Sequence, residues 1–341
     1  MIYGHGDDGY RYKKTIKANF SSNIWHKRTA DTLITHLKEQ LGTIANYPTP
    51  NADELAEKIT THHQLDSDSI LVTNGATEAF YIIASLFHGK TAAIGTPTFS
   101  EYQDACVSNN MNLSYYKRSD VAQTDFKEEL VFICNPNNPD GFSTPITEIQ
   151  ALLLKFPNTT FVIDEAYIDF THQITSSISL LTAHDNLIIV KSLTKLFSIP
   201  GLRLGYIICN PKTKARLQQS KMPWSVNTMA IEAGKYIFDN YTSIAPDMTI
   251  LLKYSKNLQQ EINALEHLTV IPSETNFFLV RLATTDAAKL KEYLATTHQL
   301  LIRDASNFRG LDGHYIRIAS QDKTKNELLV NALRIWNTNL Y

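Results

Sequence analysis

Phe161-Val162-Ile163-Asp164-Glu165-Ala166-Tyr167 and, further on, Leu187-Ile188-Ile189-Val190-Lys191-Ser192-Leu193-Thr194-Lys195 each read as a short apolar, β-branched run that breaks into polar chemistry. A run this apolar has no face left for solvent, which marks a strand covered on both sides. Ile70-Leu71-Val72, Ala92-Ala93-Ile94, Leu130-Val131-Phe132-Ile133 and Leu204-Gly205-Tyr206-Ile207-Ile208 read the same way, and longer segments of helical periodicity lie between the runs. The alternation predicts an α/β fold with a mostly parallel sheet covered by helices. From about Thr228 the pattern changes to long helical stretches over 229–239 and 250–265, then strand-like pieces over 276–282 and 315–319, and a closing helix. The expected division is an N-terminal arm over 1–25, a segment over 26–44 contributing to a smaller domain, a large domain over 45–235 and a smaller α+β domain over 236–341.

Composition narrows the partners. The 341 residues carry 32 Lys+Arg against 34 Asp+Glu, a net charge of −2, so there is no broad field to draw in nucleic acid or an anionic membrane. Any anion must be held locally. Cys106, Cys134 and Cys209 are too few and too scattered for a disulfide framework or a zinc site, which fits a reducing, cytoplasmic location. The opening residues lack the apolar core of a signal peptide, and no apolar stretch approaches the ~20 residues that span a bilayer, so a soluble, unexported protein is expected. Gly4-His5-Gly6-Asp7-Asp8-Gly9 formally satisfies G-x-G-x-x-G, but no strand feeds it and its carboxylates would repel a pyrophosphate. Gly89-Lys90-Thr91 resembles the tail of a P-loop but precedes a strand where it should open a helix.

In an open parallel sheet, ligands sit beyond the carboxyl ends of the strands, so the residues that follow each run are the candidates. Ile70-Leu71-Val72 leads into Thr73-Asn74-Gly75-Ala76-Thr77-Glu78, a small-residue turn whose backbone N–H groups could cradle a phosphate. Asn135-Pro136-Asn137-Asn138-Pro139-Asp140-Gly141 is a stack of turn formers. Asp164 and Tyr167 set a carboxylate and a phenol at one strand end, and Lys195 lies just past Ser192 and Thr194 at another. A lysine directly after a buried strand is well placed for Schiff-base chemistry. Each motif alone has a bland reading as a cap, a loop or a surface charge.

Together, Asn138, Asp164, Lys195 and Arg203 resemble, in order and spacing, the fold-type I enzymes of the class I/II aminotransferase family, which use pyridoxal 5′-phosphate. The resemblance covers nearly the whole chain. It implies that Lys195 bonds the cofactor covalently, that Asp164 keeps the pyridine nitrogen protonated, and that Tyr167 and Asn138 hold the ring's phenolate oxygen. Phe99, within Pro97-Thr98-Phe99-Ser100-Glu101-Tyr102, would stack on the ring. Gly75, Ala76, Thr77, Ser192, Thr194 and Arg203 would hold the cofactor phosphate. Tyr47 resembles the tyrosine that reaches the phosphate of a neighbouring subunit, which implies a homodimer.

Within the family the stretches resemble the branch of phosphothreonine decarboxylases and histidinol-phosphate aminotransferases, the decarboxylases first. Ser192-Leu193-Thr194-Lys195, Met222-Pro223-Trp224-Ser225-Val226-Asn227 and Ser306-Asn307-Phe308-Arg309-Gly310-Leu311 carry that preference. A small phosphorylated amino acid or amine is then the expected substrate, decarboxylated in cobalamin side-chain synthesis. Arg317 would grip its carboxylate, Arg303 would be a second anion ligand, and His5, Ser22 and Asn23 would close over its phosphate. Two departures stand out. His5-Gly6-Asp7-Asp8 places two carboxylates where a phosphate would approach, and Asp140 stands where a threonine is usual.

Overall fold

In the computed structural model, residues 7–12 and 15–339 are described. Among them, the strands in chain order are β1 (Ala18–Asn19), β2 (Ile70–Thr73), β3 (Thr91–Thr96), β4 (Asn112–Lys117), β5 (Leu130–Cys134), β6 (Thr160–Asp164), β7 (Leu187–Ser192) and β8 (Gly205–Cys209), then β9 (Leu268–Ile271), β10 (Phe277–Leu282), β11 (Leu300–Leu301), β12 (Arg303–Asp304) and β13 (Tyr315–Ala319).

Seven strands form the large sheet in the order β2-β8-β7-β6-β5-β3-β4. All run parallel except β8, which is antiparallel to both β2 and β7. The apolar runs are explained by two cores, one on each face. Val131, Ile133, Phe161, Ile163 and Ile189 enter one, while Leu130, Phe132, Val162, Ile188 and Val190 enter the other. Alternate residues of a pleated strand point to opposite faces, so a strand covered on both sides must be apolar throughout. Edge strand β4, Asn-Leu-Ser-Tyr-Tyr-Lys, has no buried residue and therefore shows no apolar run. The link from β6 to β7 carries only the short 3-10 turns Ile168–Phe170 and Ser177–Leu180 where helical periodicity was expected. Its Thr- and Ser-rich stretch favours local side-chain-to-backbone bonds over a helix, as in the Ser176 hydroxyl that accepts from the Ile178 N–H.

Four antiparallel strands in the order β12-β13-β10-β9 make the smaller sheet. Its apolar face packs Phe278, Val280, Ile316 and Ile318 against Leu258 and Ile262 of the helix Met248–Asn263 and Leu329 and Leu333 of the helix Lys323–Asn339. β1 pairs in parallel with β11, and Phe20 just beyond it is fully buried in that core. The segment 26–44, expected to contribute to the smaller domain, lines a cavity with Tyr254 and Asp322 of that domain and also packs on the larger one. Leu33 of the helix Asp31–Glu39 lies 1% exposed in the core under the large sheet, with Leu55 and Ile59. Leu33 and Leu37 lie a turn apart, forming an apolar stripe that needs a cover.

Candidate active site

Asp164 ends β6, Ser192 ends β7, Cys134 ends β5 and Thr73 ends β2, so parallel strands deliver these side chains to one edge of the sheet. β8 runs the other way and brings its N-terminal flank there, which seats Arg203 among groups that follow strands. A single cavity at this edge is lined by Ala76, Thr77 and Phe99 from the first half of the domain and by Asn138, Asp164 and Tyr167 from the centre. Ser192, Thr194, Lys195 and Arg203 close it.

Two glycines make the approach possible. Gly75 opens the helix Gly75–Leu86 at φ +75°, and a Cβ there would lie 2.5 Å from Nη2 of Arg203. A side chain at Gly205 would meet the backbone nitrogen of Ala76 at 2.7 Å and the carbonyl of Lys191 at 2.8 Å. With neither side chain present, a helix N-terminus, a guanidinium and the Ser192 and Thr194 hydroxyls, 2.8 Å from each other, converge on one point. Free N–H groups, a helix dipole and an arginine favour a dianion.

Asp164 is 4% exposed. Its Oδ2 accepts from the Tyr102 phenol at 2.5 Å, and the Cys134 thiol lies 3.9 Å away. Its Oδ1 accepts from the Ala166 N–H at 3.0 Å. Burial pushes its carboxyl up to about 6, against the pull of those donors and of Lys195. Tyr102 is a residue that nothing in its local sequence marks. It is fully buried, with its ring stacked on Phe132 at 5.1 Å and edge-on to Phe80 at 4.8 Å. Only the packing of its helix, Glu101–Ser108, on the sheet brings it to a carboxylate 62 residues away.

Lys195 rides on the short helix Leu193–Leu196, anchored by buried Leu193 and Leu196. Its carbonyl accepts from the Trp25 N–H at 2.9 Å. Burial first, then Arg203 and Arg317, push the amine down to about 8, with Asp164 and Asp7 opposing. An amine in that range has a substantial neutral, nucleophilic fraction near neutral pH. Tyr167 is buried, and its phenol is held above its ordinary value by burial despite the nearby Arg317.

The smaller sheet supplies two arginines. Arg303 and Arg317 are register partners on β12 and β13, 8% and 5% exposed. Because Ile316 and Ile318 face the apolar core, Arg317 between them faces the cleft. Arg317 donates from Nη1 to the Asn138 amide oxygen at 2.5 Å and from Nη2 to the Ser21 carbonyl at 2.6 Å. Its Nε finds no partner among the described residues. Burial lowers its guanidinium to about 10. Arg303 donates from Nη2 to Asn307 at 2.8 Å. Asn23, 3% exposed, buries both amide atoms without a partner among the described residues.

Ser22 and Tyr47 do not line this cavity. Ser22 lines an adjoining cavity with Asp7, Asn19 and Ser198. Tyr47 is 87% exposed, its ring 5.5 Å from that of Trp224. His5 lies outside the described residues. The two acidic residues beside it are engaged locally. Asp8 pairs with Lys291 at 2.6 Å and with Arg11 at 3.7 Å, while Asp7 accepts from Asn19 at 2.5 Å.

A cofactor with a dianionic phosphate, a ring nitrogen and an aldehyde fits this donor set: the glycine-lined cradle takes the phosphate, buried Asp164 the nitrogen, and Lys195 the aldehyde. With that geometry the chain belongs to the class I and II aminotransferase family, which it matches over residues 15–333, and its cofactor is pyridoxal 5′-phosphate. More particularly, it is 31% identical to the threonine-phosphate decarboxylase of Salmonella typhimurium, over 93% of this chain and 90% of that protein. The crystal structure of the L-threonine-O-3-phosphate decarboxylase of Porphyromonas gingivalis superposes with a TM-score of 0.91 at 39% identity, covering 94% of this chain and 99% of that one. The histidinol-phosphate aminotransferase of Clostridium acetobutylicum superposes at 0.87 with 27% identity, covering 94% and 99%.

Proposed function

We propose that this protein is a pyridoxal-phosphate-dependent carboxy-lyase that converts L-threonine O-3-phosphate to (R)-1-amino-2-propanol phosphate and carbon dioxide. The observation that carries the reading is the pair of buried arginines, Arg303 and Arg317, register partners on the smaller sheet, of which Arg317 bonds Asn138 in the lining of the cavity equipped for the cofactor. Together they make a second anion site, able to take a substrate that bears both a carboxylate and a phosphate. The identity with decarboxylases over nearly the whole chain supports the same assignment.

When bound, the cofactor supplies an electron sink for the pair left at Cα. The protein's part is to bind, orient and move protons. Arg203, Ser192, Thr194 and the backbone at Gly75 to Thr77 would hold the cofactor phosphate, Phe99 would stack on the ring, and Asn138 and Tyr167 would hold its oxygen. Lys195 would attach the cofactor, yield to the substrate amine, and then deliver a proton from Nζ to Cα after carbon dioxide leaves. Asp164, held by Tyr102, would keep the ring nitrogen cationic. Arg317 would fix the carboxylate, with its free Nε as a further donor, and Arg303, Asn23, Ser22 and His5 would take the substrate phosphate.

Exposed Leu41, Ile44, Tyr47, Met222 and Trp224 support a homodimer in which Tyr47 completes the partner's site. Among the described residues no helix is long and apolar enough to cross a membrane. Incubation with L-threonine O-3-phosphate should release carbon dioxide. Glutamate formed from histidinol phosphate and 2-oxoglutarate, with no carbon dioxide from the first substrate, would make the protein an aminotransferase instead.

A further inference from the structure

Asp140 departs from the pattern of its family and has no part in the chemistry above, yet it is 3% exposed and closely bound. Its Oδ2 pairs with Nη2 of Arg118 at 2.5 Å. Its Oδ1 accepts from the Asn137 amide at 2.8 Å and from the Phe142 N–H at 3.1 Å. Arg118 reaches in from the turn after edge strand β4, its guanidinium 4.2 Å from the centre of the Phe142 ring. Its Nε and Nη1 are buried without a partner among the described residues, so the carboxylate is the guanidinium's main compensation. A buried pair of this kind is costly to half-remove, because the survivor is left charged in a poorly solvated place.

What the pair holds is the turn that aims Asn138. The Asn137 amide is bound on every side: its nitrogen donates to Asp140 and to the Pro97 carbonyl at 2.9 Å, and its oxygen accepts from Thr98 at 2.7 Å. Its backbone accepts from the Gly141 N–H and donates to the Phe142 carbonyl, both at 2.7 Å. The next residue, Asn138, accepts at its amide oxygen from Nη1 of Arg317 at 2.5 Å. A continuous set of contacts therefore runs from Arg118 through Asp140 and Asn137 to Asn138 and Arg317. None of it passes through Lys195 or Asp164.

We propose that Arg118 and Asp140 are positioning residues for substrate recognition, which fix the Asn137–Asn138 turn so that Asn138 orients the Arg317 guanidinium toward the substrate carboxylate. The proposal rests on the reading of Arg317 as a carboxylate ligand. Its signature is a defect in KM that outweighs any effect on the cofactor, whose ring oxygen Asn138 shares with Tyr167. Arg118→Met and Asp140→Asn are each expected to raise KM for L-threonine O-3-phosphate by about tenfold or more, since small misplacements of a binding group carry costs of that order. kcat should change less, and the cofactor should stay bound at full occupancy, because Lys195, Arg203, Ser192 and Thr194 do not depend on this turn. In the double variant Arg118→Met/Asp140→Asn no buried charge is left alone, and the amide oxygen still accepts from Asn137 and Phe142. KM should return most of the way to wild type. Arg118→Lys, which keeps the charge and loses the fork, should fall between wild type and Arg118→Met. Unchanged KM in both single variants overturns the proposal, as do a loss in kcat or cofactor with KM preserved and a double variant as poor as the sum of the singles. The wild-type control separates the two readings. If it releases no carbon dioxide, the decarboxylase assignment fails, and the same KM comparison is made with 2-oxoglutarate, whose carboxylates engage Arg317 equally.

Discussion

Replacing Tyr102 with Phe removes one oxygen from a sealed site and leaves the stacked ring in place. The phenol is the closest donor to Asp164 Oδ2, at 2.5 Å, and the Cys134 thiol at 3.9 Å cannot take over. Hydrogen bonds to a charged acceptor contribute about 1.5–3 kcal/mol, against about 1 kcal/mol for a neutral pair. The loss should therefore depend on whether Asp164 is ionised. In the cofactor-free protein burial raises its carboxyl from 3.8 to about 6, so the folded state binds the extra proton between those values and loses stability as pH rises through them. At 1.4 kcal/mol for each pH unit that is about 3 kcal/mol. Without the phenol the folded carboxyl should move higher still, and the loss should extend above pH 6. Urea unfolding of the cofactor-free protein should then show Tyr102→Phe less stable than wild type by about 1 kcal/mol at pH 5 and by about 2–3 kcal/mol at pH 8. In the loaded enzyme kcat should fall by about tenfold to a hundredfold, with KM little changed, because the ring nitrogen is less well held as a cation. A stability difference equal at both pH values, or smaller at pH 8, would refute the claim that this phenol supports an ionised Asp164.

Two further outcomes are expected. Since Lys195 is lowered from 10.5 to about 8, its neutral, nucleophilic fraction grows as pH rises through that value. The rate of covalent capture of added cofactor, followed by absorbance, should climb with pH and level off above about 8; borohydride should then fix the label on Lys195 and not in Lys195→Ala. Trp224→Asp, which places a charge beside exposed Tyr47, should shift a dimer toward monomer in sedimentation velocity and weaken cofactor retention. A dimer unaffected by it would place the interface elsewhere.

Much of the architecture was legible because burial on two faces leaves a direct trace: strands β5, β6 and β7 are apolar at every position that matters. β4 left no such trace, since an edge strand with one solvated side is built from ordinary polar residues. The helix Asp31–Glu39 carries an apolar stripe, but such a stripe does not say which core it joins. The candidate site divides in the same way. Asp164, Ser192 and Lys195 follow strand ends, where chain order alone points to a ligand. Tyr102 and Arg118 sit in a helix and beyond an edge strand, and nothing local marks them.

The chain by itself determined which apolar runs form the buried strands, which turns must be small, and which groups stand at those strands' ends, because backbone geometry and solvent exclusion act over a few residues at a time. Only the tertiary structure decided the pairings that tune those groups. The register of β12 on β13 gathers Arg303 and Arg317, the reversal of β8 brings Arg203 beside Gly75, and the packing of separate segments joins Tyr102 to Asp164 and Arg118 to Asp140. Charges and hydrogen bonds act through space over a few ångströms, and it is the fold that sets those distances.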